Sequence, residues 1–93
     1  MDPEPYVHKL LKADGTVQDY PPAARKYTLQ EMQAAVGGYI EIVRLGSGRY
    51  LMVINEEGKL QGLPRNRLAS ILYANANDHI VGNALVCRNR DID

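Results

Sequence analysis

Two neighbouring runs, residues 39–45 and 49–55, are apolar on both sides of the pleat, and that restricts what this chain can fold into. Successive side chains on a strand point to opposite faces, so a strand with one wet face alternates in polarity. Here Ile40 and Ile42 oppose Val43 and Leu45, and Leu51 and Val53 oppose Met52 and Ile54. Such runs read as inner strands, covered on both faces by helices or by another subunit. Gly46-Ser47-Gly48 between them makes a hairpin.

The rest of the chain supplies candidate covers. Thr28-Leu29-Gln30-Glu31 has the spacing of a capping box, in which hydroxyl and carboxylate satisfy each other's main-chain amides. Leu29, Met32, Val36 and Ala35 then form a helical apolar stripe over about 28–36, and Gly37-Gly38 closes it. A second helix is expected over 65–74, with Pro64 in its first turn and Leu68, Ala69, Ile71 and Leu72 as its buried side. Asn75 and Asn77 suit its exit. Earlier, residues 7–12 and 16–20 flank Asp14-Gly15, which reads as a hairpin with a type I′ turn. Pro21-Pro22 ends that hairpin. Glu57-Gly58 turns the chain toward a short strand near 59–61, and a last strand spans 79–88 with a bulge or close approach at Gly82.

The expected order is therefore ββ-α-ββ-(β)-α-β. This is an α+β fold: one domain over 1–93, with a mostly antiparallel sheet of five to six strands and two short helices. Residues 1–5 and 89–93 read as loose ends. A chain of this length buries about two-thirds of its unfolded surface, so its stability margin is thin and a homo-oligomer is expected.

Eleven basic residues balance eleven acidic ones, which argues against general nucleic-acid binding through a basic field. Arg25, Lys26, Arg44, Arg49, Arg65 and Arg67 still permit a local basic patch. Cys87 stands alone, so neither an internal disulfide nor a cysteine zinc site can form. The start, Met-Asp-Pro-Glu-Pro, is unlike a signal peptide, and no apolar run approaches the ~20 residues of a membrane helix. The expectation is a cytoplasmic protein with no membrane contact and no cofactor.

Tyr27-Thr28-Leu29-Gln30-Glu31 and Val36-Gly37-Gly38-Tyr39-Ile40-Glu41 resemble the opening of a small domain family of unknown function found in phages, prophages and large algal viruses. The likeness runs on through Asn55-Glu56-Glu57-Gly58-Lys59-Leu60, Gly62-Leu63-Pro64, Asn66 and Ala69, and closes with Ile80-Val81-Gly82-Asn83 and Leu85-Val86. The resemblance implies a small accessory protein, often virus-encoded, and brings no catalytic residues with it.

Several polar residues are candidates for a site. Arg65, Asn66 and Arg67 sit at an expected helix start, where free amides and two guanidiniums attract a phosphate or carboxylate; the alternative is a solvated first turn. Asn55, with Glu56 and Glu57, suits a ribose or cation as well as a plain turn. Glu41 interrupts an apolar strand and needs a partner, a pocket or an interface. Asn83 in the closing strand is likewise unexplained by folding. Arg44 and Arg49 flank the second hairpin, as an extension of the basic patch or as exposed hairpin-end charges. Tyr39 and Tyr50 are candidates to pair across it. Asp78-His79 is a poor catalytic pair, because adjacent strand residues face opposite ways. His8 reads as a surface residue on an edge strand, and Cys87 as an apolar filler.

The function expected is non-enzymatic: a viral or phage accessory protein binding a small anionic, nucleotide-type ligand, as in sequestration of a host immune signal. The alternative is a protein-interaction module that blocks or adapts a host or viral protein through its sheet.

Overall fold

The computed structural model describes residues 1–46 and 48–92; Ser47 of the Gly46-Ser47-Gly48 hairpin and Asp93 of the expected loose end lie outside the described residues. Among the described residues, β1 (Lys9–Leu11), β2 (Val17–Asp19), β3 (Ile40–Leu45), β4 (Tyr50–Asn55) and β5 (Ala84–Arg88) form one antiparallel sheet. Their spatial order is β2-β1-β5-β4-β3. Helices α1 (Leu29–Val36) and α2 (Arg67–Tyr73) cover opposite faces.

That arrangement explains the two-sided apolarity of β4. Leu51 and Val53 pack with Met32, Ala35 and Val36 of α1, while Met52 packs with Ala69 and Leu72 of α2. β5 sits at the centre, and Leu85, Val86 and Cys87 are wholly buried. Each such aliphatic side chain contributes about 1.5–3 kcal/mol by leaving water. β3, expected inside the sheet, is instead an edge strand. Its Ile42 remains 43% exposed, because neither helix extends over it far enough to cover it.

α1 begins as its sequence requires. The Thr28 hydroxyl accepts from the Glu31 amide at 3.1 Å, and the Glu31 carboxylate accepts from the Thr28 amide at 2.8 Å. Gly37 closes the helix in the left-handed region. Leu29 falls outside the buried stripe, which is Met32, Ala35 and Val36. α2 is shorter than expected: Asn66 is its N-cap and Ala74 takes the left-handed exit, ahead of Asn75. Its buried side is Ala69 and Leu72, with Ile71 exposed.

The first hairpin differs from a type I′ turn. The Gly15 amide donates to the Lys12 carbonyl and the Lys12 amide to the Thr16 carbonyl, enclosing a three-residue loop. Gly15 has φ +94° while Asp14 keeps a negative φ, the pattern of a type I turn followed by a glycine bulge. No strand forms at 59–61. Residues 56–62 wind in turns instead, closed by the Gln61 amide on the Glu57 carbonyl and the Leu63 amide on the Gly58 carbonyl. The last strand starts only at Ala84, because residues 80–82 pair with 64–66 through the Ile80 and Pro64 carbonyls. Gly82 makes the close approach expected of it: a Cβ there would lie 2.9 Å from Leu63 Cδ1.

The ends also fold back. Three-residue 3-10 turns occupy Glu4–Tyr6 and Asn89–Asp91, and Asp91 is buried. His8 is not on an edge strand, since β1 lies between β2 and β5. Tyr39 and Tyr50 do not pair: Tyr50 faces Leu45 at the turn end, while Tyr39 bonds Glu56 at the far end of the hairpin.

Candidate functional site

The β4–β5 pairing creates a cationic corner. Tyr50 lies opposite Arg88, and the Asn89 amide donates to the Arg49 carbonyl at 2.9 Å. Two arginine-bearing segments distant in sequence thereby run side by side at one end of the sheet. The turn after β5 is fixed by Asp91, whose Oδ2 accepts from the Arg88 amide at 2.8 Å and lies 3.0 Å from His8 Nε2. Arg49, Tyr50, Arg88 and Arg90, with Glu4, line a cleft of about 580 Å³.

Three guanidiniums share this cleft with one carboxylate. Glu4 Oε1 accepts from Arg88 Nη2 at 2.5 Å. The Tyr50 hydroxyl and then the Arg88 guanidinium hold the Glu4 carboxyl below its ordinary value. Reciprocally, Glu4 raises the Tyr50 hydroxyl and the Arg88 guanidinium above theirs. Among the described residues no carboxylate lies within salt-bridge distance of Arg49 or Arg90. Guanidinium forks match the oxygens of phosphate and carboxylate in geometry and charge.

The residues singled out from the sequence do not converge on one place. Arg65 and Arg67 do share a groove of about 460 Å³, with Asn75 and Asp78. Asn66 between them faces the other way and is 1% exposed. Its amide donates to the Leu11 and Gly82 carbonyls, and its Oδ1 accepts from the Ala69 amide. Glu41 and Asn55 line a smaller cavity of about 180 Å³ beside His79. Asn55 also serves main chain, donating to the Val36 carbonyl and accepting from the Glu57 amide. Asn83 accepts from the Ala13 amide at 3.1 Å. Arg44 extends past Gly48, its Nη1 3.8 Å from where a Cβ would stand there.

Asp78 gives its carboxylate to Lys59 and to the His79 main-chain amide, the first of which chiefly depresses its pKa. The histidine–carboxylate pair that does form is His8 with Asp91, which no local spacing announces. Among the described residues no cluster of three or more histidine, cysteine, aspartate or glutamate side chains is placed to hold a metal ion. No helix among them is long and apolar enough to cross a membrane.

Sequence reasoning missed Arg88 and Arg90 because they fell in the expected strand end and loose terminus. The only available signal was Arg49, and nothing local places it beside β5.

A single antiparallel sheet with one helix on each face and a cationic corner defines a small three-layer α+β domain. The chain belongs to the family described as a domain of unknown function (DUF3846), which matches residues 9–93. No curated protein and no solved structure matches the chain. The matched span takes in Arg49, Arg88 and Arg90 and leaves out Glu4.

Proposed function

We propose that this is a non-enzymatic accessory protein that binds a small anionic, nucleotide-type ligand in the cleft of Arg49, Arg88 and Arg90. The observation that carries it is the convergence of three guanidiniums, two of them without a carboxylate partner among the described residues, on one concave site. The cleft volume falls in the ~300–1,000 Å³ range of small-molecule sites. Among the described residues it offers cations and hydrogen-bond donors but no nucleophile set against a base, which favours binding over turnover. The resemblance of the Tyr27–Glu31 and Val36–Glu41 motifs to phage and viral domains supports a cytoplasmic role inside an infected host, with capture of a nucleotide-derived immune signal as its use.

Thermal-shift and calorimetric titration at low salt, against mononucleotides, cyclic dinucleotides and ADP-ribose, tests the reading. A ligand-induced stabilisation abolished by Arg49→Ala with Arg90→Ala is the expected result. No response to any of these ligands overturns it.

A second reading is favoured by β3. It is a six-residue edge strand with its outer side open; it presents exposed Ile42, and Tyr39 just ahead of it is exposed too. Open apolar edges recruit another strand, from a second copy or from a host or viral protein. Native mass spectrometry separates the readings: a dimer or one stoichiometric protein partner, lost in Ile42→Lys, supports this one, whereas a monomer carrying a small anion favours the first.

A further inference from the structure

Glu4 occupies the place where a ligand's anionic group would bind. We infer that its carboxylate is a resident, displaceable occupant of the cleft, and that the ligand is of the diphosphate class, with two linked anionic groups. This rests on the cleft being the binding site.

The geometry supports displacement. Glu4 rides on a 3-10 turn of three residues, none of them buried, between Pro3 and Pro5. The turn is oriented by the Glu4 amide donating to Asp2 Oδ1 at 2.9 Å, and Tyr6 anchors it against the α2 face. Its carboxylate accepts from the Arg88 guanidinium, as a ligand phosphate oxygen would, and the Tyr50 hydroxyl favours its charged form. The ion pair is partly solvated, with the Glu4 side chain 45% exposed, and exposed pairs are weak. A phosphoryl group can therefore take over Arg88 and Tyr50 with no desolvated charge left behind.

The count of cations indicates two anionic groups. A monoanion that replaces Glu4 exchanges one ion pair for another and gains little. Arg49 and Arg90 line the same cleft and have no salt-bridge partner among the described residues. A second phosphoryl linked to the first can engage them without displacing a second carboxylate. Glu4 then acts as a threshold: it lowers the apparent affinity of every ligand by the fraction of protein whose cleft is open. The factor is the same for all of them, so a single phosphate, which has no second contact, is left with the weaker binding.

Isothermal titration of the full chain with inorganic pyrophosphate and with orthophosphate, wild type beside Glu4→Gln, tests this. Pyrophosphate should bind wild type at least about tenfold tighter than orthophosphate, and Glu4→Gln should tighten both by roughly threefold to tenfold. Thermal melts confirm that the variant is folded. Equal pyrophosphate affinity for wild type and Glu4→Gln overturns the displacement while leaving the cleft as the site. Equal affinity of the two anions for wild type overturns the diphosphate class. If neither anion nor any nucleotide binds either protein, the cleft reading itself falls, and this inference with it.

Discussion

The side-chain amide of Asn66 donates to the carbonyl of Leu11 at 2.8 Å, joining residues 55 positions apart. The same amide donates to the Gly82 carbonyl at 2.9 Å, and its oxygen caps α2 through the Ala69 amide at 3.1 Å. One buried side chain thus ties together the end of β1, the approach to β5 and the start of a helix. Asn66→Ala leaves two carbonyls and a helix amide unpaired, and should cost about 3–4 kcal/mol. Asn66→Asp keeps the cap but sets a carboxylate against two carbonyls, so it should be at least as damaging. Urea unfolding measures both, and a loss no larger than that of Arg65→Ala would refute the account.

Cys87 tests the interior. It is fully buried, and burial, with the Asp91 charge adding, pushes its thiol up to about 12. Thiol reagents should leave the native protein unmodified at pH 8 and label it only along its urea unfolding curve. The folded value lies above the ordinary value of 9.0, so this group's stabilising contribution is complete below pH 9 and is lost as pH rises toward 12. Tyr27 is displaced in the same direction, chiefly by burial. Alkaline melts should therefore lose stability across that window. Rapid labelling of native protein would contradict the packing.

Acid acts through carboxylates. The Thr28 and Ala23 amides hold the Glu31 carboxyl below its ordinary value of 4.5. Glu4, Asp14 and Asp78 are depressed as well, chiefly by bonds from Tyr50, Thr16 and Lys59 respectively. A depressed folded value means stability that is present above the ordinary range and disappears as pH falls through the folded value. Circular dichroism melts should be flat from pH 7 to about 5 and fall below 4.5. Glu31→Gln should melt lower at pH 7 and show a shallower acid slope. An unchanged slope would mean the capping box does not operate in solution.

Local chemistry announced most of the fold, and long-range pairing supplied what it did not. The capping box at Thr28 and Glu31 and the covered strand β4 are set by neighbours in sequence. Placing β3 at the edge and β5 between β1 and β4 depends on which strands pair, and no local pattern encodes that. The candidate site fared worse for a related reason. Asn55, Asn66 and Asn83 stood out as polar groups with no local task, and each serves main chain far away or at a turn. Short strands leave amides and carbonyls open at their ends, and asparagine carries both a donor and an acceptor to close them. Arg88 and Arg90 were hidden by the converse effect, since only the Tyr50–Arg88 register brings them to Arg49.

His8 and Asp91 connect that cleft to the fold. His8 sits in the left-handed region, φ +62°, where the chain leaves the Glu4 turn and enters β1. Its ring packs edge-on against Tyr27 at 5.8 Å and its Nε2 lies 3.0 Å from Asp91 Oδ2. Asp91 in turn holds the Arg88 amide, so the pair links the entry to β1 with the end of β5. Asp91→Ala strands both donors and should cost about 2–3 kcal/mol. His8→Ala loses the ring but keeps the backbone strain, whereas His8→Gly relieves it and should be about 1 kcal/mol more stable than His8→Ala. A double-mutant cycle between His8→Ala and Asp91→Ala should return a coupling of about 0.5–1.5 kcal/mol. Coupling near zero would show that the two residues lie side by side without holding each other, and that Asp91 acts through the Arg88 amide.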